Sequence, residues 1–88
     1  MADPADISRR IGEFFEAEFP RSDAVLTDTT DLLRDWLVDS AGIVSTTLFL
    51  ESEFGIQMRR ADINAVHFQN IRSLTAYVVG RLANPRGK

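Results

Sequence analysis

Eighty-eight residues, 44% hydrophobic and 26% charged, suffice for one small core and leave no room for a second lobe that closes over a substrate. Cysteine is absent, which excludes a disulfide framework and any thiolate-ligated zinc or iron–sulfur centre and fits a reducing compartment. The net charge of −3 is unevenly spread, with twelve acids and four bases in residues 1–55 against one acid and six bases in residues 56–88; the front half therefore repels phosphates, so nucleic acid is not an expected partner, and it would steer a basic protein surface instead.

The chain opens without a basic leader or an apolar stretch, and no window approaches the length of a membrane span. A cytoplasmic, monomeric, single domain over 1–88 is expected, with 84–88 as a flexible tail. Ile7, Ile11, Phe14 and Phe15 fall on one stripe of a first helix; Asp3 is placed to cap it, with Pro4 in its first turn and Pro20 at its stop. From Arg21 to Asp39 the pattern dissolves into a long loop with apolar anchors at Val25, Leu26, Leu32, Leu33, Trp36 and Leu37. Its length predicts a helical turn near Asp31 to Trp36.

Ser40 to Phe54 reads as a second helix with Ile43, Thr47, Leu50 and Phe54 on its inner face. Val44 and Leu48 border that stripe, and periodicity does not settle which way they point. Asp39 or Ser40 caps the start, and Gly55 followed by Ile56 gives a left-handed stop. Arg59 to His67 predicts one short helix or a pair of turns. Asn70 then caps a last helix built on Ile71, Leu74, Val78 and Leu82. With no sustained strand alternation, the fold class is all-α: a four-helix bundle with a long loop between helices one and two and a short third helix.

A phosphoryl group on Ser40 would meet the unsatisfied N–H groups and the positive end of the second helix; on spacing alone, a simple serine cap is the commoner reading. Position 38 is valine where Gly-x-Ser-x-Gly requires glycine, so no nucleophile elbow is present. His67, between Val66 and Phe68, reads as packed or surface-exposed rather than catalytic, and no metal-ligand cluster is seen. The aromatic residues Phe14, Phe15, Phe19, Phe49, Phe54, Phe68 and Tyr77 read as core, and Arg59-Arg60 as a solvated turn. Trp36 either plugs the loop onto the bundle or flanks whatever Ser40 carries.

From Asp31 onward the chain resembles the acyl carrier proteins. The likeness rests on Asp39-Ser40 opening a helix, Leu48-Phe49-Leu50-Glu51-Ser52-Glu53-Phe54-Gly55-Ile56 closing it, the Asn64 to Phe68 segment, and Ile71 to Leu82 with Tyr77-Val78. The resemblance implies that Ser40 is esterified by 4′-phosphopantetheine, donated from coenzyme A by a magnesium-dependent phosphopantetheinyl transferase, with Asp39 in the recognition motif of that enzyme. It further implies a phosphoprotein that is no enzyme itself, carrying a thioester to a ligase, ketosynthase or acyltransferase through a docking face of Ala41, Val44, Ser45, Leu48 and Glu51. A chain without cysteine can hold a thioester only on an imported thiol.

Three departures from the family pattern are visible. Trp36 stands where glycine is common, Ala41 where leucine is usual, and Ser45-Thr46-Thr47 leaves Asp39, Glu51 and Glu53 as the charges of the second helix. They favour a carrier for polyketide or mixed polyketide and nonribosomal peptide biosynthesis, as in antibiotic pathways, over a fatty-acid carrier. The alternatives are a peptidyl or aminoacyl carrier and a helical protein-interaction module.

Overall fold

The computed structural model describes residues 3–20, 25–36 and 39–83. Among these the chain forms α1 (Pro4–Glu18), α2 (Ser40–Phe54), a 3-10 turn (Arg60–Asp62) and α3 (Ile71–Ala83), and no strand. The chain is therefore all-helical, but a fourth α-helix is not found among the described residues: 59–67 is a 3-10 turn followed by further turns. Polar side chains that bond their own backbone favour turns over helix. Asn64 Oδ1 accepts the His67 N–H at 3.0 Å and its Nδ2 donates to Ala61 O at 2.9 Å.

The helix ends follow the sequence signals. Asp3 accepts the Ala5 N–H at 3.1 Å, Pro4 occupies the first turn of α1, and the Phe19 N–H closes the last turn onto Phe15 O at 2.9 Å. Gly55 ends α2 at φ 67, a left-handed conformation that costs a side-chain-bearing residue about 1 to 2 kcal/mol. Asn70 caps α3 through the Ser73 N–H at 2.8 Å.

Ile7, Ile11 and Phe15 of α1 are buried together with Leu32, Trp36, Leu50, Met58, Phe68, Ile71, Leu74 and Val78 in one core. The closest helix pair is α1 with α3. Gly12 lies on this contact, where a Cβ would sit 3.7 Å from Ile71 Cδ1, at ordinary contact distance. The seam between α1 and α2 is aromatic, with Phe14 stacked on Phe49 at 4.2 Å and 14° between planes, and Phe49 edge-on to Phe54. Arg10 covers the far end of this seam, its guanidinium 4.9 Å from the Phe54 ring centroid and its Nε donating to Glu53 at 2.9 Å.

The inner face of α2 differs from the expected one. Gly42, Thr46 and Leu50 are buried, whereas Ile43, Thr47 and Phe54 are only half-buried. An α2 that is apolar on nearly every side gives periodicity no single stripe to select. Small residues can face inward here because Thr46 satisfies its hydroxyl on Gly42 O at 2.7 Å.

The long loop holds the expected helical turn. Asp35 N–H bonds Asp31 O at 2.8 Å, while Asp31 Oδ1 accepts the Leu33 and Arg34 N–H groups at 3.1 and 2.9 Å. Leu32 and Trp36 anchor it in the core. Val25, an expected anchor, is instead 82% exposed; the loop is tied down further along, by Leu32 N–H to Gln69 O at 2.7 Å and Arg72 N–H to Asp28 O at 2.9 Å. Leu37 and the tail 84–88 lie outside the described residues.

Gly80 sits exposed inside α3, and a Cβ there would meet nothing within 4 Å. Gly80→Ala is expected to stabilise the protein by about 0.5 to 1 kcal/mol through helix propensity alone. A rise in the urea midpoint with unchanged slope would show it, and a fall would mean the helix is frayed there.

Candidate functional site

The N-terminus of α2 is assembled from two adjacent residues with different tasks. Asp39 is extended, at φ −91 and ψ −172, and its Oδ1 accepts the Gly42 N–H at 2.9 Å while its carbonyl accepts the Ile43 N–H at 2.9 Å. Asp39 is thus the cap, which resolves the two options left by the sequence, and Ser40 is the first helical residue. Ser40 is exposed, and its hydroxyl forms no hydrogen bond among the described residues. A hydroxyl released from capping, at the positive end of a fifteen-residue helix, is open to an external reagent and suits a phosphodiester.

Along α2 from Ser40, Ala41, Val44 and Leu48 are all exposed, the last two at 59% and 61%. Their spacing of three and four places them on one ridge. Ser45 is half-buried beside it. Glu51 is half-buried too, and its Oε2 accepts the Met58 N–H at 2.9 Å, which holds the chain leaving Gly55 against α2. The ridge next to Ser40 is therefore apolar, and Glu51 has a local structural task.

Two features escaped the sequence reading. Trp36 is a core residue, 3% exposed, yet its indole Nε1–H has no hydrogen-bond partner among the described residues. The second is a polar hub that fixes the 59–69 segment to α3. Tyr77 Oη donates to Asp62 Oδ2 at 2.7 Å, Arg59 Nε donates to the same oxygen at 3.1 Å, and His67 Nδ1 lies 2.9 Å from Asp62 O with its ring 4.9 Å from that of Tyr77. No local signal links Asp62 to a tyrosine fifteen residues later. His67 is thus engaged by a backbone carbonyl through Nδ1, as a packed histidine would be.

The hub has a pH dependence of definite sign. The hydrogen bond from Tyr77 holds the Asp62 carboxyl below the ordinary carboxylate range, and Arg59 adds to the effect; burial pushes the Tyr77 phenol up, reinforced by Asp62. A carboxyl depressed in the folded state stabilises the fold above its unfolded pKa of about 3.9 and ceases to do so as pH falls through its lowered value. Tyr77→Phe should cost about 1 kcal/mol at neutral pH, the low end for a bond to a charge because the pair is partly open to water. Urea unfolding should show the gap from the parent narrowing in acid, as pH falls through the lowered Asp62 value. A gap that widens in acid would contradict this assignment.

No group of potential metal ligands occurs among the described residues, and no helix described is long and apolar enough to cross a membrane. No protein-family model and no curated protein matches this chain.

Proposed function

We propose that this protein is a carrier domain that holds an acyl or aminoacyl group as a thioester on a 4′-phosphopantetheine arm at Ser40, for a specialised polyketide or mixed biosynthetic route. One observation carries the reading: Ser40 is exposed at the first turn of α2 while its neighbour Asp39 performs the capping that would otherwise occupy the serine. The arm supplies the thiol that the cysteine-free chain lacks. Ser40 would hold its phosphate beside the α2 N-terminus, and Asp39 would present a fixed carboxylate to the transferase. Ala41, Val44 and Leu48 form an uncharged ridge that partner enzymes could dock against by shape. In this reading the 3-10 turn and the turns after it stand in for the short third helix of a four-helix carrier, and the protein performs no chemistry of its own.

The exposed Val44 and Leu48 would equally serve a helical interaction module in which Ser40 has no modification, so one experiment must separate the two. Incubation with coenzyme A, magnesium and a broad-specificity phosphopantetheinyl transferase, followed by intact-mass measurement and peptide mapping, should show one arm per chain, on Ser40. An unmodified chain, or an arm on another residue, would remove the carrier reading.

A further inference from the structure

Three buried side-chain atoms lack a hydrogen-bond partner among the described residues: Trp36 Nε1, Thr75 Oγ1 and Arg81 Nε. Two of them have a ready alternative. A threonine hydroxyl inside a helix can turn to a carbonyl of the preceding turn, and Arg81 already donates through another nitrogen to Gln57 O at 2.9 Å. The indole of Trp36 has neither option, because it is rigid, can only donate, and is 97% removed from water. An indole N–H placed there gives up its bond to water and receives no replacement among the described residues.

Position in the chain suggests what could supply the acceptor. Trp36 precedes Ser40 by four residues, so the two Cα atoms lie within about 14 Å whatever path the chain takes between them. An extended pantetheine arm carrying an eight-carbon acyl chain spans more than that. On the inner face of α2, the residues nearest Ser40 are Gly42 and Thr46, the smallest side chains of that face, ahead of Leu50. Trp36 belongs to the same core as Leu50 and Leu74. Small side chains thus line the inner turns of α2 nearest Ser40, and Trp36, four residues before it in the chain, brings to the same core a buried donor with no partner among the described residues.

Resting on the carrier reading, we propose that Trp36 Nε1–H is a recognition donor for the tethered cargo, and that the cargo is an acyl chain bearing an oxygen, carbonyl or hydroxyl, beyond the thioester. A saturated chain would leave the indole as unsatisfied as before. An oxygenated chain inserted beside α2 would satisfy it, and would be retained over the saturated one by that bond.

Trp36 is the only tryptophan, so its indole gives a single resonance in the ¹⁵N-labelled protein. Four forms of the full chain are compared: unmodified, arm alone, octanoyl and 3-oxooctanoyl, the last two loaded at Ser40 from their coenzyme A thioesters. The indole proton should move downfield and become protected from solvent exchange in the 3-oxooctanoyl form alone. Equal indole positions in both acyl forms would overturn the proposal. A shift already complete with the arm alone would also overturn it, by making an amide oxygen of the arm the acceptor. In Trp36→Phe, the difference between the two acyl forms at the Gly42 and Thr46 amides should vanish, and its persistence would count against Trp36 as the donor. Should that variant not fold, the parent spectra decide alone. If Ser40 accepts no arm, the carrier reading and this inference fall together; if it loads and the indole is silent, only the inference falls.

Discussion

Ser40→Ala is expected to abolish loading by coenzyme A and transferase completely while leaving the melting curve almost unchanged. The two halves of that expectation come from the division of labour at the α2 N-terminus. The hydroxyl is the only atom of Ser40 that alanine lacks, and it caps nothing, since the Gly42 N–H is taken by Asp39. Alanine is also the better helix former at an exposed first-turn position. Asp39→Ala should behave in the opposite way toward stability, costing about 0.5 to 2 kcal/mol as a lost cap. Asp39→Asn separates the cap from the charge, because asparagine caps as well as aspartate. Its fold should therefore be retained, and a slower loading rate would then report the carboxylate as seen by the transferase. Intact mass and thermal melts on the three variants give both readouts. An unfolded Ser40→Ala protein, or one that still takes the arm, would contradict this picture.

What the sequence disclosed at this site and what it concealed have the same physical origin. Helix ends are written in local chemistry, so Asp3, Gly55 and Asn70 were legible, and so was the start of α2 at Asp39 or Ser40, though not which of the two caps it. Amphipathic α1 also declared its face, because charged residues mark its outer side, and α3 did so for Ile71, Leu74 and Val78, whereas Leu82, expected on the same stripe, is exposed and Thr75 is buried. Helix α2 did not declare its face. With no charge between Asp39 and Glu51, nothing in its pattern distinguishes Ile43 from Gly42 or Thr47 from Thr46, and the choice falls to packing against the Phe14 and Phe49 stack. The outward direction of Val44 and Leu48 follows from that same choice. Long-range polar contacts were likewise invisible: Asp62 with Tyr77, and Glu51 with the Met58 N–H, depend on how the turns of 59–69 fold back rather than on any spacing. Trp36 shows a third kind of limit, since its departure from the resembled family marked it as unusual while only burial could reveal an unsatisfied donor.

Phe15→Ala is expected to cost about 3 to 5 kcal/mol. Phe15 is 1% exposed, belongs to the single core, and holds Phe14 edge-on at 5.4 Å and Phe19 at 5.6 Å. Its removal would therefore open a cavity and release two neighbours that themselves define the aromatic seam to α2. A domain of this size commonly has a total stability near 5 kcal/mol, so the variant should be at the edge of unfolding, with a melting temperature lower by on the order of 20 °C. The consequence reaches the site, because Phe14 positions Phe49 and so fixes which face of α2 carries Val44 and Leu48 outward. Val44→Ala is the control: at 59% exposure it should change stability by no more than about 0.5 kcal/mol. Phe15→Leu, which refills most of the volume, should recover a large part of the loss. Comparable melting temperatures for Phe15→Ala and Val44→Ala would mean that α2 is turned differently from the arrangement described, and the exposed ridge beside Ser40 would have to be reassigned.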